Sequence, residues 1–262
     1  MIFDTHMHCD YSCDSHMEFE DAVQAAAGWG IGMIVTEHWD YAYPTNPDAF
    51  TFDIDEYFRR FMPLRSDKVL LGIEIGMQTN TAENDDKVAA SHDFDYVLGS
   101  IHCIGGRDLY EASCYQGRTR GQIVEEFLQD TLTCIEQHTN YDAFAHIDYI
   151  CRYWPYTGDE RELRLEDAPG MFDKVLKLLA EQNKPIEINT RRLDDAAAAA
   201  GLLPIYRRYR QLGGRYCTIG SDAHYQEHVG RRLKEALQMA EQADLKPVYF
   251  KERKMIGMGE KL

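Results

Sequence analysis

The segment I-F-D-T-H-M-H at residues 2–8 joins a short apolar run to two histidines. Side chains of an extended chain alternate between two faces, so His6 and His8 point to the same side. Their imidazoles can therefore bind one metal ion together. The segment predicts a buried β-strand that ends in a metal-binding pair, and the rest of the chain can be compared with this pattern.

Six further segments resemble the first in being short, apolar and bounded by polar residues. The predicted strands cover residues 2–4, 33–36, 69–75, 96–101, 143–145, 185–189 and 217–220. Such runs without polar alternation are typical of strands buried on both faces. Helices are predicted between them, over residues 20–27, 53–65, 81–91, 119–138, 169–181, 202–212 and 229–243. Alternating strands and helices predict an α/β fold with a parallel sheet, either closed into a barrel or open.

Each predicted strand carries polar side chains at or near its C-terminal end, where α/β barrels place their active sites. Histidines and acids dominate this set, which comprises His6, His8, His38, Glu74, His102, His146, Glu187, Asp222 and His224. A scattered set of core histidines would need a separate hydrogen-bond partner for each ring. A shared metal centre is the simpler interpretation. His92 and His138 lack this placement and are expected to be exposed helical residues.

The number of ligand-type residues predicts more than one metal ion. Glu74 stands inside an apolar run, where a carboxylate is costly without a strong partner such as a metal ion. Six histidines, Glu74, Asp222 and one further acid make nine groups. One ion with an open position uses three or four protein ligands. Nine groups therefore predict two or three divalent ions, and their chemistry suits Zn, Mn or Fe.

The net charge of −16 disfavours nucleic acid and anionic membranes as partners, because both attract basic surfaces. The sequence has no apolar stretch long enough to span a bilayer and no signal-peptide pattern at its N-terminus. Seven scattered cysteines without a C-x-x-C motif fit reduced thiols. We expect a single cytoplasmic domain over residues 1–262, with its oligomeric state left open.

The ordered motifs resemble those of the polymerase and histidinol phosphatase (PHP) superfamily. The motifs are H-x-H at 6–8, T-E-H at 36–38, G-I-E-I-G at 72–76, S-I-H at 100–102, A-H-I-D at 145–148 and S-D-A-H at 221–224. The resemblance runs from His6 to His224. It implies a distorted seven-stranded (β/α)7 barrel of the PHP type, with up to three metal ions at the C-terminal mouth.

The resemblance also implies a ligand set for each ion. The first set is His6, His8, Glu74 and Asp222. Glu74 would bridge to a second ion, whose other ligands would be His102 and His146. The third set is Asp14, His38 and His224. His16 remains an alternative to Asp14, because both follow the H-x-H pair closely.

Within the superfamily, the chain is similar to the bacterial histidinol-phosphate phosphatases at residues 145–156, 187–191 and 213–224. This similarity implies that Arg152 and Arg191 contact the phosphate group of the substrate. Arg192 follows Arg191 directly, so which of the two adjacent arginines faces the mouth stays open at this point. Residues 105–118, with Tyr110 and Glu111, and residues 39–43 are expected to form walls of the mouth.

The implied activity is metal-dependent hydrolysis of a small phosphate monoester by a metal-activated hydroxide. L-histidinol phosphate is the expected substrate, as a step of histidine biosynthesis. Asp222 and His224 are the candidate catalytic residues that would steady the leaving alkoxide. The alternatives are a phosphatase of another small phosphorylated metabolite, a PHP-type phosphodiesterase or nuclease, and a non-catalytic metal-binding module. The acidic charge disfavours a nuclease, and the complete set of ligands and arginines disfavours a non-catalytic module.

Overall fold

The computed structural model describes residues 1–259, and residues 260–262 of the predicted domain lie outside the described residues. The strands are β1 (Phe3–Asp4), β2 (Gly32–Trp39), β3 (Val69–Gly76), β4 (Tyr96–Ser100), β5 (Cys103–Ile104), β6 (Arg107–Asp108), β7 (Ala143–Phe144), β8 (Ile186–Asn189), β9 (Tyr216–Gly220), β10 (Lys246–Lys251) and β11 (Lys254–Gly257). The helices are α1 (Phe19–Trp29), α2 (Ile54–Phe61), α3 (Ala82–Ala89), α4 (Arg120–Gln137), α5 (Pro169–Glu181), α6 (Ala196–Gln211) and α7 (Leu233–Gln242). Every predicted strand and helix overlaps one of these elements.

The strands β1, β2, β3, β4, β7, β8 and β9 lie side by side in chain order, and neighbouring strands are parallel. Backbone hydrogen bonds also join the two ends of this series. Thr5 N donates to Ile219 O over 2.9 Å, and Asp222 N donates to His6 O over 2.8 Å. The sheet therefore curls on itself, as expected for the predicted distorted α/β barrel.

Strand alternation explains why the polar residues collect at one end of the barrel. On β2, Ile34 and His38 share a face, and on β3, Leu70 and Glu74 do so. The register pairs Ile34 with Leu70 and His38 with Glu74. Ile34 and Leu70 belong to an apolar cluster with residues of β1, β4 and β7. The same inward rows are therefore apolar at the N-terminal end and carry ligand-type side chains at the C-terminal end.

A C-terminal hairpin, β10–β11, was not among the predicted strands. Its Phe250 ring stacks on Tyr96 with centroids 5.3 Å apart, and its Tyr249 ring stacks on Phe3 at 3.9 Å. Val248 and Phe250 complete the inner apolar cluster. The hairpin thus covers the N-terminal end of the barrel, and its burial depends on aromatic partners that are distant in the sequence.

Two helices begin four or more residues away from the predicted position, and the others begin within one residue of it. Helix α6 starts at Ala196, six residues early, because the Asp195 carboxylate accepts a hydrogen bond from Ala197 N and caps the helix. Helix α7 starts at Leu233, after a turn in which Arg232 adopts a left-handed conformation. Within residues 1–259, no helix combines the length and apolar composition needed to cross a membrane.

Candidate metal centre and phosphate site

The C-terminal mouth of the barrel gathers the histidines and acids predicted from the sequence. Eight of these side chains are buried together there, namely His6, His8, His38, Glu74, His102, His146, Asp222 and His224. Several subsets have ligand atoms that all lie within 4.8 Å of one another, one being His6, His8 and Asp222, another His38, Glu74 and His102. Asp14 lies at the more exposed edge of this group.

The Glu74 carboxylate lies at the centre of the group. Its Oε1 is 2.9 Å from His146 Nε2 and 3.4 Å from His102 Nε2. Its Oε2 is 3.4 Å from His6 Nε2 and 3.5 Å from His8 Nε2. The two oxygens thus face different imidazoles, which is the arrangement a bridging carboxylate needs.

The spacing around Glu74 Oε2 suits a tetrahedral ion. His6 Nε2 lies 3.0 Å from His8 Nε2, and His8 Nε2 lies 3.4 Å from Asp222 Oδ1. Two ligands of a tetrahedral zinc ion, each at about 2.0–2.1 Å, are about 3.3 Å apart. Glu74, His6, His8 and Asp222 therefore surround a space about as large as one bound cation.

Asp14 reaches a second group of imidazoles at the rim. Its Oδ2 is 3.3 Å from His224 Nε2 and 3.6 Å from His38 Nε2. His16, the alternative considered from the sequence, is exposed, and its ring faces Tyr225 at 5.8 Å. The structure brings Asp14 to the cluster and leaves His16 outside it.

Two carboxylates orient His6 and His102 by contacting the Nδ1 atoms of their rings. Glu187 Oε1 is 2.7 Å from His6 Nδ1, and Asp40 Oδ1 is 2.7 Å from His102 Nδ1. These contacts leave the Nε2 atoms free to face the centre of the cluster. The sequence pattern included Glu187 without indicating its role, and Asp40 was expected only as part of the wall segment 39–43. The available signal for Asp40 was its position directly after β2, two residues beyond His38.

Glycine at two strand ends makes room for these contacts. A Cβ at Gly76 would lie 1.8 Å from Asp40 Oδ1. A Cβ at Gly220 would lie 2.3 Å from the Cβ of His6 and 2.4 Å from Glu187 Oε1. Any larger residue would therefore displace a carboxylate that orients a histidine.

The charges of the cluster are strongly coupled. Burial raises the pKa of Glu74, but His6, His102 and His38 together hold that pKa well below its usual range. The pKa of Asp222 is likewise held low despite burial, mainly by Arg152. Both acids are thus carboxylates, the form that binds metal ions.

The imidazoles of the cluster differ in their protonation. Burial and the nearby His38 lower the pKa of His8, and burial and Arg152 lower that of His146. Burial opposes protonation of His102 too, but Asp40 and Glu74 raise its pKa to about 9. A metal ion bound by His102 would therefore displace a proton, whereas the lowered pKa values of His8 and His146 favour neutral rings.

Buried polar atoms at the centre of the cluster indicate that the cluster can bind cations. Among residues 1–259, Glu74 Oε2 and His102 Nε2 are buried without a well-directed hydrogen bond, although His38 Nδ1 lies 2.9 Å from Glu74 Oε2 and Glu74 Oε1 lies 3.4 Å from His102 Nε2. Leaving such atoms unpaired is costly. Divalent cations would satisfy them, and the donor set of imidazoles and carboxylates fits zinc, manganese or iron.

Two arginines extend from the edge of the cluster towards Asp222. Arg152 Nη2 lies 2.7 Å from Asp222 Oδ2, and Arg191 Nη1 lies 3.5 Å from Asp222 Oδ1. Arg152 is buried, whereas the Arg191 side chain is 41% exposed. Arg192 turns away and forms ion pairs with Asp148 and Glu162. Of the two adjacent arginines, Arg191 therefore faces the mouth.

Aromatic side chains form one wall of the mouth. The Tyr149 ring lies 4.7 Å from the His102 ring, and Tyr153 lies 5.6 Å from Tyr149. Tyr110, from the predicted wall segment 105–118, contacts Tyr153 with ring centroids 5.0 Å apart. Glu111 of the same segment is exposed. On the other side, Phe50 contacts His38 at 5.4 Å.

His92 and His138 were expected to be exposed helical residues, and both lie just beyond a helix. His138 follows α4 and is buried, so its expected exposure was wrong; its Nε2 lies 3.0 Å from Asp85 Oδ2. His92 follows α3 and is partly exposed, with its ring stacked on Phe58 at 4.9 Å. Both rings contact residues far away in the sequence, so the local pattern could not reveal these contacts.

Comparison with protein families matches residues 4–191 to the PHP domain. The chain belongs to the PHP family. This PHP chain is 44% identical to a probable histidinol-phosphatase of Clostridium acetobutylicum, over 97% of this chain and 99% of that protein. It is 29% identical to a histidinol-phosphatase of Lactococcus lactis, over 84% of this chain and 83% of that protein.

Solved structures of the PHP family include close matches to this chain. A crystal structure of histidinol phosphate phosphatase from Lactococcus lactis, complexed with zinc, L-histidinol and phosphate, matches with a TM-score of 0.91 and 27% identity, covering 97% of this chain and 98% of that one. A structure from Listeria monocytogenes matches with a TM-score of 0.73 and 15% identity, covering 89% and 99% respectively, and shows the shared fold.

Proposed function

We propose that this protein is a single-domain histidinol-phosphatase, which hydrolyses L-histidinol phosphate to L-histidinol and phosphate in histidine biosynthesis. The observation that carries the proposal is the convergence of Arg152 and Arg191 on Asp222, beside a cluster of imidazoles and carboxylates. A site that combines cation ligands with two guanidinium groups suits a phosphate monoester. Near full-length similarity to proteins named histidinol-phosphatase supports this substrate.

We propose three sets of metal ligands on the basis of the distances above. Glu74 is shared between the first set, which also contains His6, His8 and Asp222, and the second set. The second set is completed by His102 and His146, and the third consists of Asp14, His38 and His224. Two or three divalent ions would occupy these positions. Zinc is supported by the complex of the Lactococcus lactis enzyme, and the mixture of imidazoles and carboxylates also suits manganese or iron.

When bound, the divalent ions supply the acidification of a water molecule and part of the charge stabilisation on phosphorus. The chain supplies the remaining positioning. Arg152 and Arg191 bind non-bridging oxygens of the phosphate and hold it against the cluster. Arg152 keeps the Asp222 carboxylate ionised, so Asp222 would bind the first ion and accept a hydrogen bond from the attacking water. His224 Nδ1 lies 3.0 Å from Asp222 O, which leaves its Nε2 to hold the third ion with Asp14 and His38. Where only two ions are bound, the same Nε2 can instead contact the leaving oxygen of the alcohol.

A panel of phosphate esters tests the proposed function. With zinc-loaded full-length protein, kcat/KM for L-histidinol phosphate should exceed that for p-nitrophenyl phosphate by at least about 100-fold. Equal rates on unrelated monoesters would favour another phosphorylated metabolite, and cleavage of bis-p-nitrophenyl phosphate would favour a phosphodiesterase. Bound metal with no hydrolysis of any ester would favour the non-catalytic module.

The two arginines should differ in their contributions to phosphate binding. We expect Arg152→Gln to lower kcat/KM by about 10²–10³-fold, because it removes a buried charged donor from the phosphate site. Arg191→Gln should have a smaller effect, since its side chain is more exposed and its interactions are better screened by solvent. Arg207→Gln, on the outer face of α6, serves as the control. An unchanged KM and kcat in Arg152→Gln would contradict its assignment.

Glu187 should act through the histidines that it orients. Its Oε2 accepts a hydrogen bond from His146 N over 2.9 Å, while its Oε1 is bound to His6. Glu187→Gln replaces one acceptor by a donor, so we expect a loss of about 10–100-fold in zinc affinity. Competition with a chromophoric chelator measures this loss, and the exposed Glu181→Gln on α5 is the control. Equal zinc affinities of both variants would show that Glu187 does not orient the ligands.

We also propose the cytoplasm as the compartment of this enzyme. All cysteines of the chain lie within the described residues and are free, and six of them are buried. Free thiols are typical of a reducing compartment. A small phosphorylated substrate is the expected partner, and the net charge of −16 argues against nucleic acid or an anionic membrane as a partner.

A further inference from the structure

The two adjacent arginines after β8 have different surroundings. Arg191 faces the mouth, whereas the Arg192 side chain is only 10% exposed and points between two carboxylates. Arg192 Nη1 is 2.9 Å from Asp148 Oδ2, and Arg192 Nη2 is 2.5 Å from Glu162 Oε2. Asp148 and Glu162 are themselves buried. Arg192, Asp148 and Glu162 therefore form an ion triad. The ion pairs of Arg192 are with Asp148 and Glu162 rather than with the proposed metal ligands.

The triad joins the two loops that carry the proposed phosphate-binding arginines. Asp148 precedes the helical turn Tyr149–Arg152, so it belongs to the loop of Arg152. Arg192 is the neighbour of Arg191 in the loop between β8 and α6. The backbone of both loops leaves the sheet before reaching the arginines. Their relative position therefore depends on contacts between loops rather than on strand pairing.

Glu162 gives the triad a fixed point outside the mouth. The segment that carries it is bound to α4 through Arg120, whose Nη2 donates to Glu162 O over 2.7 Å. Arg120 also pairs with Asp167 through two contacts of 2.6 and 2.7 Å. Trp154 Nε1 donates to Arg161 O over 2.8 Å and ties the same segment to the loop after β7. Glu162 is thus anchored independently of the arginines in the mouth.

The chemistry of the triad favours a geometric role. Burying three charged groups is costly, and an apolar replacement of such a group is often as stable. A guanidinium, however, offers donors in a planar fork and can bind two carboxylates in fixed directions at once, which a lysine ammonium cannot do with the same geometry. Within the mouth, the link between the loops is weaker, since Asn189 Oδ1 accepts from Arg152 Nη2 over 3.3 Å and from Arg191 N over 3.0 Å.

We propose that Arg192 is a positioning residue that holds Arg152 and Arg191 at the separation needed to bind one phosphate group, through its ion pairs with Asp148 and Glu162. This inference rests on the proposed function, because it concerns the phosphate site of that reaction. It assigns separate roles to the adjacent arginines: Arg191 binds phosphate, and Arg192 fixes the loop that carries Arg191.

The test uses zinc-loaded full-length protein and the variants Arg192→Gln, Arg192→Lys and Arg161→Gln. Arg161 is the matched control, because its side chain is 52% exposed and approaches Glu162 from the solvent side at 3.9 Å. Calorimetry measures the Kd of inorganic phosphate, and kinetics give KM and kcat for L-histidinol phosphate. Zinc content and Tm are measured in parallel.

We expect Arg192→Gln to raise the Kd of phosphate and the KM by about ten-fold or more at an unchanged zinc content, because small displacements of binding groups have large effects. Arg192→Lys should lie between Arg192→Gln and the wild type, and Arg161→Gln should match the wild type. A lower Tm of Arg192→Gln with an unchanged Kd of phosphate, measured where the variant is folded, would show a purely structural role and overturn the proposal.

Two additional measurements allow the role of Arg192 to be decided even if Arg192→Gln does not fold or the proposed function is wrong. If Arg192→Gln does not fold, Glu162→Gln removes one carboxylate charge while keeping the Asp148–Arg192 pair, and the same increase in the Kd of phosphate is expected. Phosphate binding requires no turnover. A wild-type protein that binds phosphate without hydrolysing L-histidinol phosphate would therefore refute the proposed function, and the comparison of Kd values would still decide the role of Arg192.

Discussion

Removal of divalent metal ions with a chelator is expected to lower the hydrolysis of L-histidinol phosphate by at least about 10³-fold. Without cations, the carboxylates of Glu74 and Asp222 face the substrate phosphate and repel it. Activity should return when zinc, manganese or iron is added to the dialysed protein. Phosphate release and elemental analysis of the same samples measure the effect.

The same treatment should lower the thermal stability. Bound ions stabilise the folded state by mass action, because the ligands converge only when the barrel is formed. Tm should therefore fall on chelation and recover with the added metal. Chelator saturated with zinc beforehand is the control for direct effects of the chelator. Full activity in protein shown by elemental analysis to be free of metal would disprove the proposed mechanism.

The substitution Glu74→Gln should have the next largest effect, a loss of at least about 10³-fold in kcat/KM. The reason is the central position of the side chain, whose two oxygens face different imidazoles at 2.9–3.5 Å. A carboxamide is neutral and has one acceptor oxygen, so it cannot bridge two cations. Elemental analysis should show the loss of at least one ion per chain, together with the loss of activity.

Glu83→Gln on α3 is the matched control for Glu74→Gln. Its carboxylate is exposed and pairs with Lys87 over 2.7 Å. Exposed pairs of this kind contribute little to stability, so activity and metal content should equal those of the wild type. A Glu74→Gln variant that keeps its full metal content and activity would refute the bridging role of Glu74.

The sequence predicted the barrel well because its signal is local. Each parallel strand is a short apolar run, and the alternation of side chains decides which residues share a face. This is why His6 and His8 were expected on one side, and why all seven parallel strands were found, although β2 ends three residues later than predicted. The hairpin β10–β11 escaped prediction because its burial depends on Tyr96 and Phe3, which belong to distant strands.

Loops were less predictable than strands. Asp14 and His16 were both candidates from the sequence, and the distances of 3.3 Å and 3.6 Å to His224 and His38 select Asp14. Arg191 was the expected phosphate ligand, and Arg192 stayed open as an alternative because neighbouring residues in a loop have no fixed alternation. The structure separates them by giving Arg192 two buried carboxylate partners.

The amino-acid sequence by itself determined the order of strands, the end of the barrel at which the polar residues collect and the kinds of ligand present there. These properties follow from strand periodicity and residue chemistry, which are local. The tertiary structure decided which atoms meet: Glu74 at the centre, Glu187 and Asp40 behind the histidines, and Arg191 rather than Arg192 at the mouth. Those choices depend on distances between segments that closure of the barrel brings together, and no local pattern encodes them.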